Sequence, residues 1–183
     1  MRKIWNRKYV GLILPILFLI ALIIYPMVTV QLGETILLET IPYDPTDLFR
    51  GDYVELRYQV SELDESYLHE SIEITEENMY ENHVYYAVLK PEGKIHTVDY
   101  LIDNKPDKGL YLKCNAYFYQ PYGVKMDTSE ELPLTIDVDY NINRFYLKEG
   151  TGLELEEASR EGTLLGEIKV FKGNGVLIDI LKK

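Results

Sequence analysis

The 183-residue sequence predicts a mainly β protein, in which an N-terminal transmembrane helix precedes an antiparallel β sandwich or barrel with one or two short helices. Three observations lead there. An uncharged run of 25 residues separates Lys8 from Glu34, short alternating runs rich in β-branched and aromatic residues fill the rest of the chain, and turn residues separate those runs. A parallel α/β sheet would need crossover helices, and the pattern leaves little room for them.

Residues 1–8 form a basic tail with Arg2, Lys3, Arg7 and Lys8, and residues 9–30 form the anchor. About 20 helical residues cross a ~30 Å hydrocarbon layer, so the run is long enough to span. A cleavable signal peptide has a shorter apolar region and a small-residue cleavage site, and PMVTVQLGE carries no A-x-A pattern. Pro15 and Pro26 are tolerated in a membrane helix because neighbouring groups can satisfy the freed carbonyls. Four cations before the span, with Glu34 and Glu39 after it, keep the N-terminus cytoplasmic and send residues 31–183 to the other side of the cell membrane.

Setting those four aside leaves 15 basic residues against 30 acids, a formal charge of −15 beyond the basic tail. Such a domain repels phosphate backbones and anionic headgroups, so neither nucleic acid as a partner nor a peripheral membrane-surface role is expected. With Cys114 as the one cysteine, no internal disulfide and no cysteine-rich metal site can form. The domain must be held by its core.

Strand-like runs lie near 35–41, 53–60, 83–90, 94–102, 108–119, 133–140, 163–171 and 175–181. Pro91-Glu92-Gly93 and Lys172-Gly173-Asn174-Gly175 predict hairpins on either side of them. Two segments read as helices: TEENMYE, 75–81, with Thr75 as N-cap, and TGLELEEASREG, 151–162, with Thr151 and Glu154 in capping-box spacing and Gly162 as the stop.

The densest punctuation is DPTDLFRGDYVELRY, residues 44–58. Asp44 before Pro45 has the form of a helix cap, which is typically worth ~1 kcal/mol, and Asp47 falls where a first-turn acid meets the helix dipole. Gly51 can end the turn in the left-handed conformation, and Asp52 can hold the bend through backbone N–H groups. From there Val54, Leu56, Tyr58 and Val60 share one face of a strand, with Tyr53, Glu55, Arg57 and Gln59 on the other. All of these are structural jobs. The functional alternative is an exposed acidic rim of Asp44, Asp47 and Asp52 beside Arg50. Its spacing lacks the regular positions and terminal Glu of a calcium loop, so a partner-docking surface is the better use of it and no metal is expected.

Gly51-Asp52-Tyr53-Val54-Glu55-Leu56-Arg57-Tyr58 resembles the motif that gives the GDYXXLXY protein family its name. PYDPTDLFR, 42–50, is similar to that family's lead-in, and YNINRFYLKEGTGLELEEA, 140–158, to its second signature. The latter contributes Arg144, Phe145, Tyr146, Glu149, Gly150, Gly152 and Glu154. The family commonly has glycine where this chain has Asn141, and asparagine also tolerates positive φ; it commonly has proline at the place of Lys148, which loosens the turn before Glu149. The resemblance implies a bacterial membrane-anchored protein, often encoded beside or fused to a multi-spanning membrane protein. It implies no reaction and no cofactor.

An anchor followed by a β domain with an Arg-Gly-Asp turn is also similar to signal peptidases, but no serine precedes Ser61 to act as nucleophile. His69, His83 and His96 have no helical zinc spacing. Cys114 shares a strand face with Leu110, Leu112, Ala116 and Phe118, which suits a small buried hydrophobe. Tyr111, Tyr117 and Tyr119 lie on the opposite side, as sheet cover or as a contact for a protein or glycan. Docking to a multi-spanning membrane protein is therefore the expected function. The alternative, an envelope-directed hydrolase using carboxylates near Asp52 and Glu149, requires the two signatures to meet in one pocket.

Overall fold

A computed structural model describes residues 6–42, 53–75, 79–120, 134–146, 158 and 161–183. The first element is α1, Asn6–Leu32, which runs through Pro15 and Pro26. Within it Ile13–Leu32 is 20 residues long, with a mean hydropathy of 2.6, and is long and apolar enough to cross a membrane. Its large apolar side chains face outward, Leu14, Phe18 and Ile23 among them, as lipid rather than a protein core would require.

Eleven strands come after it among the described residues. They are β1 Glu34–Ile41, β2 Tyr53–Glu55, β3 Arg57–Tyr58, β4 Glu62–Asp64, β5 Asn82–Glu92, β6 Ile95–Ile102, β7 Tyr111–Tyr119, β8 Thr135–Asp139, β9 Arg144–Tyr146, β10 Leu164–Phe171 and β11 Asn174–Lys182. One sheet has the order β11-β10-β1-β3, another β4-β8-β7-β5-β6, and β2 pairs with β9 in a separate two-stranded ribbon. All these pairings are antiparallel, and the sheets curl as half-barrels. Both predicted hairpins form: β5 and β6 join through Gly93 at φ +64°, and β10 and β11 through Lys172 and Gly173 at φ +51° and +89°. Positive φ at both central residues is the hairpin turn whose twist matches the strands.

Alternation along each strand supplies one core. Ile36 and Leu38 of β1 with Leu164, Ile168 and Val170 of β10 come from the first sheet; Tyr85, Ala87, Leu112, Cys114, Phe118 and Ile136 come from the second. Thr40, buried in the first sheet, satisfies its hydroxyl by donating to Leu164 O at 2.9 Å.

Two expectations change. The single strand over 53–60 is instead β2, Leu56, β3 and a short 3-10 turn, because β2 pairs with β9 while β3 pairs with β1, so the chain passes between sheets at Leu56. Strands β4 and β9, three residues each, were not expected. Of the segment 75–81, residues 76–78 lie outside the described residues; Met79 N–H donates to Thr75 O at 3.1 Å, and Tyr80 has φ +67°. The segment 151–162 lies outside them except for helical Ala158 and the turn at Glu161 and Gly162. Thr163 N–H donates to Ala158 O at 3.0 Å around Gly162 at φ +64°, the ending predicted for that glycine.

Only Gly33 separates α1 from β1. Its N–H donates to Thr29 O at 2.9 Å, and Lys169 Nζ donates to its carbonyl at 3.4 Å. A side chain at Gly33 would collide with Thr29 O and lie 3.1 Å from the Val170 backbone. Thr29 is fully buried, and Asn174 Nδ2 donates to the Tyr25 hydroxyl. The β domain is thus seated on the last two turns of α1.

Candidate functional site

The alternation read from 53–60 holds: Val54, Leu56, Tyr58 and Val60 are all buried, while Tyr53, Glu55 and Arg57 are partly open and Gln59 is exposed. Leu56 and Tyr58, two of the specified positions of the first motif, are therefore core residues. The Tyr58 ring fits because β10 carries glycine opposite it; a Cβ at Gly166 would lie 2.8 Å from the ring and 2.9 Å from the hydroxyl. Burial pushes the Tyr58 phenol well above its ordinary range, so it stays a hydrogen-bond donor.

That donor joins the two motifs. Tyr58 Oη donates to Ile142 O at 2.9 Å, and Tyr140, at the start of the second signature, donates from its own buried hydroxyl to Val60 O at 2.8 Å. Between these crossed braces Leu56 N–H donates to Asn143 O at 2.7 Å. The ribbon continues the connection, with Tyr53 opposite Tyr146, Val54 opposite Phe145 and Glu55 opposite Arg144. Asn141 does sit at positive φ, +57°, and its N–H donates to Asp139 Oδ1 at 2.8 Å. The two hydroxyl bonds and the Leu56 N–H bond satisfy polar groups that the crossing would otherwise leave buried and unpaired.

Pairing in this register puts Tyr53, Glu55, Arg144 and Tyr146 on one face of the ribbon and Val54 and Phe145 on the other. Val54 turns into the core and Phe145 is half-buried. On the outer face the Tyr53 and Tyr146 rings are 5.8 Å apart, and the Arg144 guanidinium lies over the Tyr53 ring at 5.7 Å. Tyr146 is 74 % exposed, unusual for a large aromatic side chain. One exposed cluster therefore takes residues from both motifs.

Beside the ribbon a cleft of about 200 Å³ is lined by Glu55, Arg57, Asp137 and Asp139 together with the two bracing tyrosines. Arg57 occupies much of its charge, contacting Asp137 at 2.6 Å and Glu62 at 2.9 Å. Asp139 is engaged by Asn141. Where carboxyl groups are displaced from their ordinary range, at Asp64 and Asp103, the Ser66 and Ser71 hydroxyls lead in holding them down, the opposite of what a general acid needs.

Asp44, Asp47, Arg50, Gly51 and Asp52 of the first motif lie outside the described residues, as do Glu149, Gly150, Gly152 and Glu154 of the second. Among the described residues no three His, Cys, Asp or Glu side chains are grouped to hold a metal ion. Cys114 is 2 % exposed, and burial foremost pushes its thiol up to about 12, which leaves no useful thiolate at neutral pH. The tyrosine face is narrower than its spacing suggests. Tyr111 is buried because the β10–β11 turn folds over it, Gly173 lying so close that a Cβ there would be 2.6 Å from the ring. Tyr117 and Tyr119 are half-buried, 5.9 Å apart, with exposed Tyr80 against Tyr117 at 6.4 Å.

The model of the GDYXXLXY protein family matches residues 15–180, nearly the whole chain. Neither a curated protein nor a solved structure gives a significant match.

Proposed function

We propose that the chain, which belongs to the GDYXXLXY protein family, is a non-enzymatic membrane-anchored domain that docks to a multi-spanning membrane protein through the β2–β9 ribbon. Residues 9–30 form its anchor, with the N-terminus in the cytoplasm and the domain on the other side. The cations at the N-terminus and the acidic remainder support that orientation. One observation carries the docking role: exposed Arg144 and Tyr146 and half-buried Tyr53 form a single cluster built from both motifs. Tyrosine and arginine are enriched among the residues that dominate binding energy, and a rigid two-stranded platform lowers the entropy of ordering them.

A photo-crosslinking amino acid at position 146 tests this in cells. It should give a discrete adduct with a multi-spanning membrane protein, while the same group at Leu181, an exposed position on β11, should not. Equal adduct patterns at both positions would remove the ribbon as the docking site.

The hydrolase reading draws on the same convergence, since the two motifs border one cleft. It is the weaker reading because Arg57 and the Asn141 N–H already engage Asp137 and Asp139.

A further inference from the structure

Because the domain is seated on α1, part of it must lie close to lipid. Counting about 20 residues of hydrocarbon from the last cation, Lys8, ends the apolar layer near Val28. Tyr25 then lies roughly 4–5 Å inside that boundary at 1.5 Å per residue, with its hydroxyl at the depth where tyrosines concentrate at membrane interfaces. The amide of Asn174 bonds to that hydroxyl. Asn174 is the first residue of β11 and pairs with Phe171 across the turn, so the whole turn is carried to the level of the headgroups.

Its chemistry matches that depth. Phe171 is half-buried, and the ammonium of exposed Lys172 stands 5.3 Å from its ring centroid. Lys169, two residues earlier on the same side of its strand as Phe171, reaches Gly33 O at the end of α1. Lys113 donates its backbone N–H to Gly173 O at 2.7 Å and is itself exposed. These lysines surround the turn of a domain that is otherwise strongly acidic, with Glu34, opposite Val170, as an acid at the same end. A ring flanked by long cationic side chains suits the boundary between acyl chains and lipid phosphates.

From this geometry we infer that the β10–β11 turn, Phe171 to Asn174, is a second membrane contact, seated in the headgroup layer where α1 emerges. The ring of Phe171 meets the upper acyl chains and Lys172 meets lipid phosphate. The domain is then fixed at two points and does not swing about Gly33. This contact rests on α1 being the membrane anchor, and the test separates the two.

The full chain, with Trp5→Phe to remove its one tryptophan and Phe171→Trp to add a probe, is reconstituted into phosphatidylcholine–phosphatidylglycerol vesicles. Lipids brominated near the headgroup end of the acyl chain should quench the emission at 171. They should leave a Leu181→Trp probe, at the far end of the hairpin, unquenched. Emission at 171 that is equal in brominated and plain lipid, from protein that floats with the vesicles, overturns the contact. Failure to float overturns the anchor itself, and the turn's placement falls with it. Should Phe171→Trp disturb folding, a nitroxide on Phe171→Cys reads the same depth. Preferential access to oxygen supports the contact, and preferential access to a water-soluble nickel chelate overturns it.

Discussion

Leu56→Ala is expected to destabilise the domain by about 2–5 kcal/mol, the range for emptying a buried leucine site that can only partly collapse. Leu56 is 2 % exposed and stands where the chain passes between sheets, with its N–H held by Asn143 O. The core around it is fixed by the crossed hydroxyl bonds of Tyr58 and Tyr140, so little can move in to fill the space. For a chain of this length the loss corresponds to a fall in melting temperature of roughly 5–20 °C. Thermal unfolding followed by circular dichroism in mild detergent reads it. A shift no larger than a surface substitution gives, about 0.5 kcal/mol, would mean that this motif position is not a core residue.

Arg144→Ala combined with Tyr146→Ala should do the reverse. Tyr146 is largely exposed and Arg144 lies over the Tyr53 ring, so stability should change by only about 0.5 kcal/mol. Recovery of the proposed membrane partner from mild detergent should fall by at least about 30-fold, because truncating one dominant interface residue typically costs 2 kcal/mol or more. The pair shares one cluster, so their separate losses should not add. Undiminished recovery with an unchanged melting curve would leave the ribbon without a docking role. Diminished recovery with a lowered melting curve would assign these residues to folding instead.

Much of the fold was legible because it is written in period-two alternation. The buried face Val54, Leu56, Tyr58 and Val60, and the Cys114 face of β7, both follow directly from it. Positive φ at Asn141 was legible only through the family resemblance, which implies glycine at that place, a conformation asparagine also tolerates. Strands β4 and β9 were not, since three residues are too few to show a period. The passage from one sheet to another at Leu56 was hidden as well, because alternation continues unchanged through it while the pairing partners switch.

The candidate site was legible only as two separate motifs. Their union depends on contacts spanning about half the chain: Tyr58 with Ile142, Tyr140 with Val60, and the room left for Tyr58 by Gly166. Tyr140 stood within the second signature, but nothing in its neighbours says that its hydroxyl points back at the first. Likewise Tyr111 shares spacing with Tyr117 and Tyr119 and is nonetheless buried, because a turn from a remote hairpin covers it. Periodicity assigns a residue to a face; it does not say what later covers that face.

The joining of the two motifs is the claim on which the docking surface depends, and cysteine pairing across the ribbon tests it most directly. Cα atoms of antiparallel partners lie about 4.5–5.5 Å apart, within reach of a disulfide. In a Cys114→Ala background, Tyr53→Cys with Tyr146→Cys should close an intramolecular disulfide under mild oxidation in the folded protein, and the off-register pair Tyr53→Cys with Arg144→Cys should close far more slowly. Failure of the in-register pair to close, or faster closure of the off-register pair, would contradict the account.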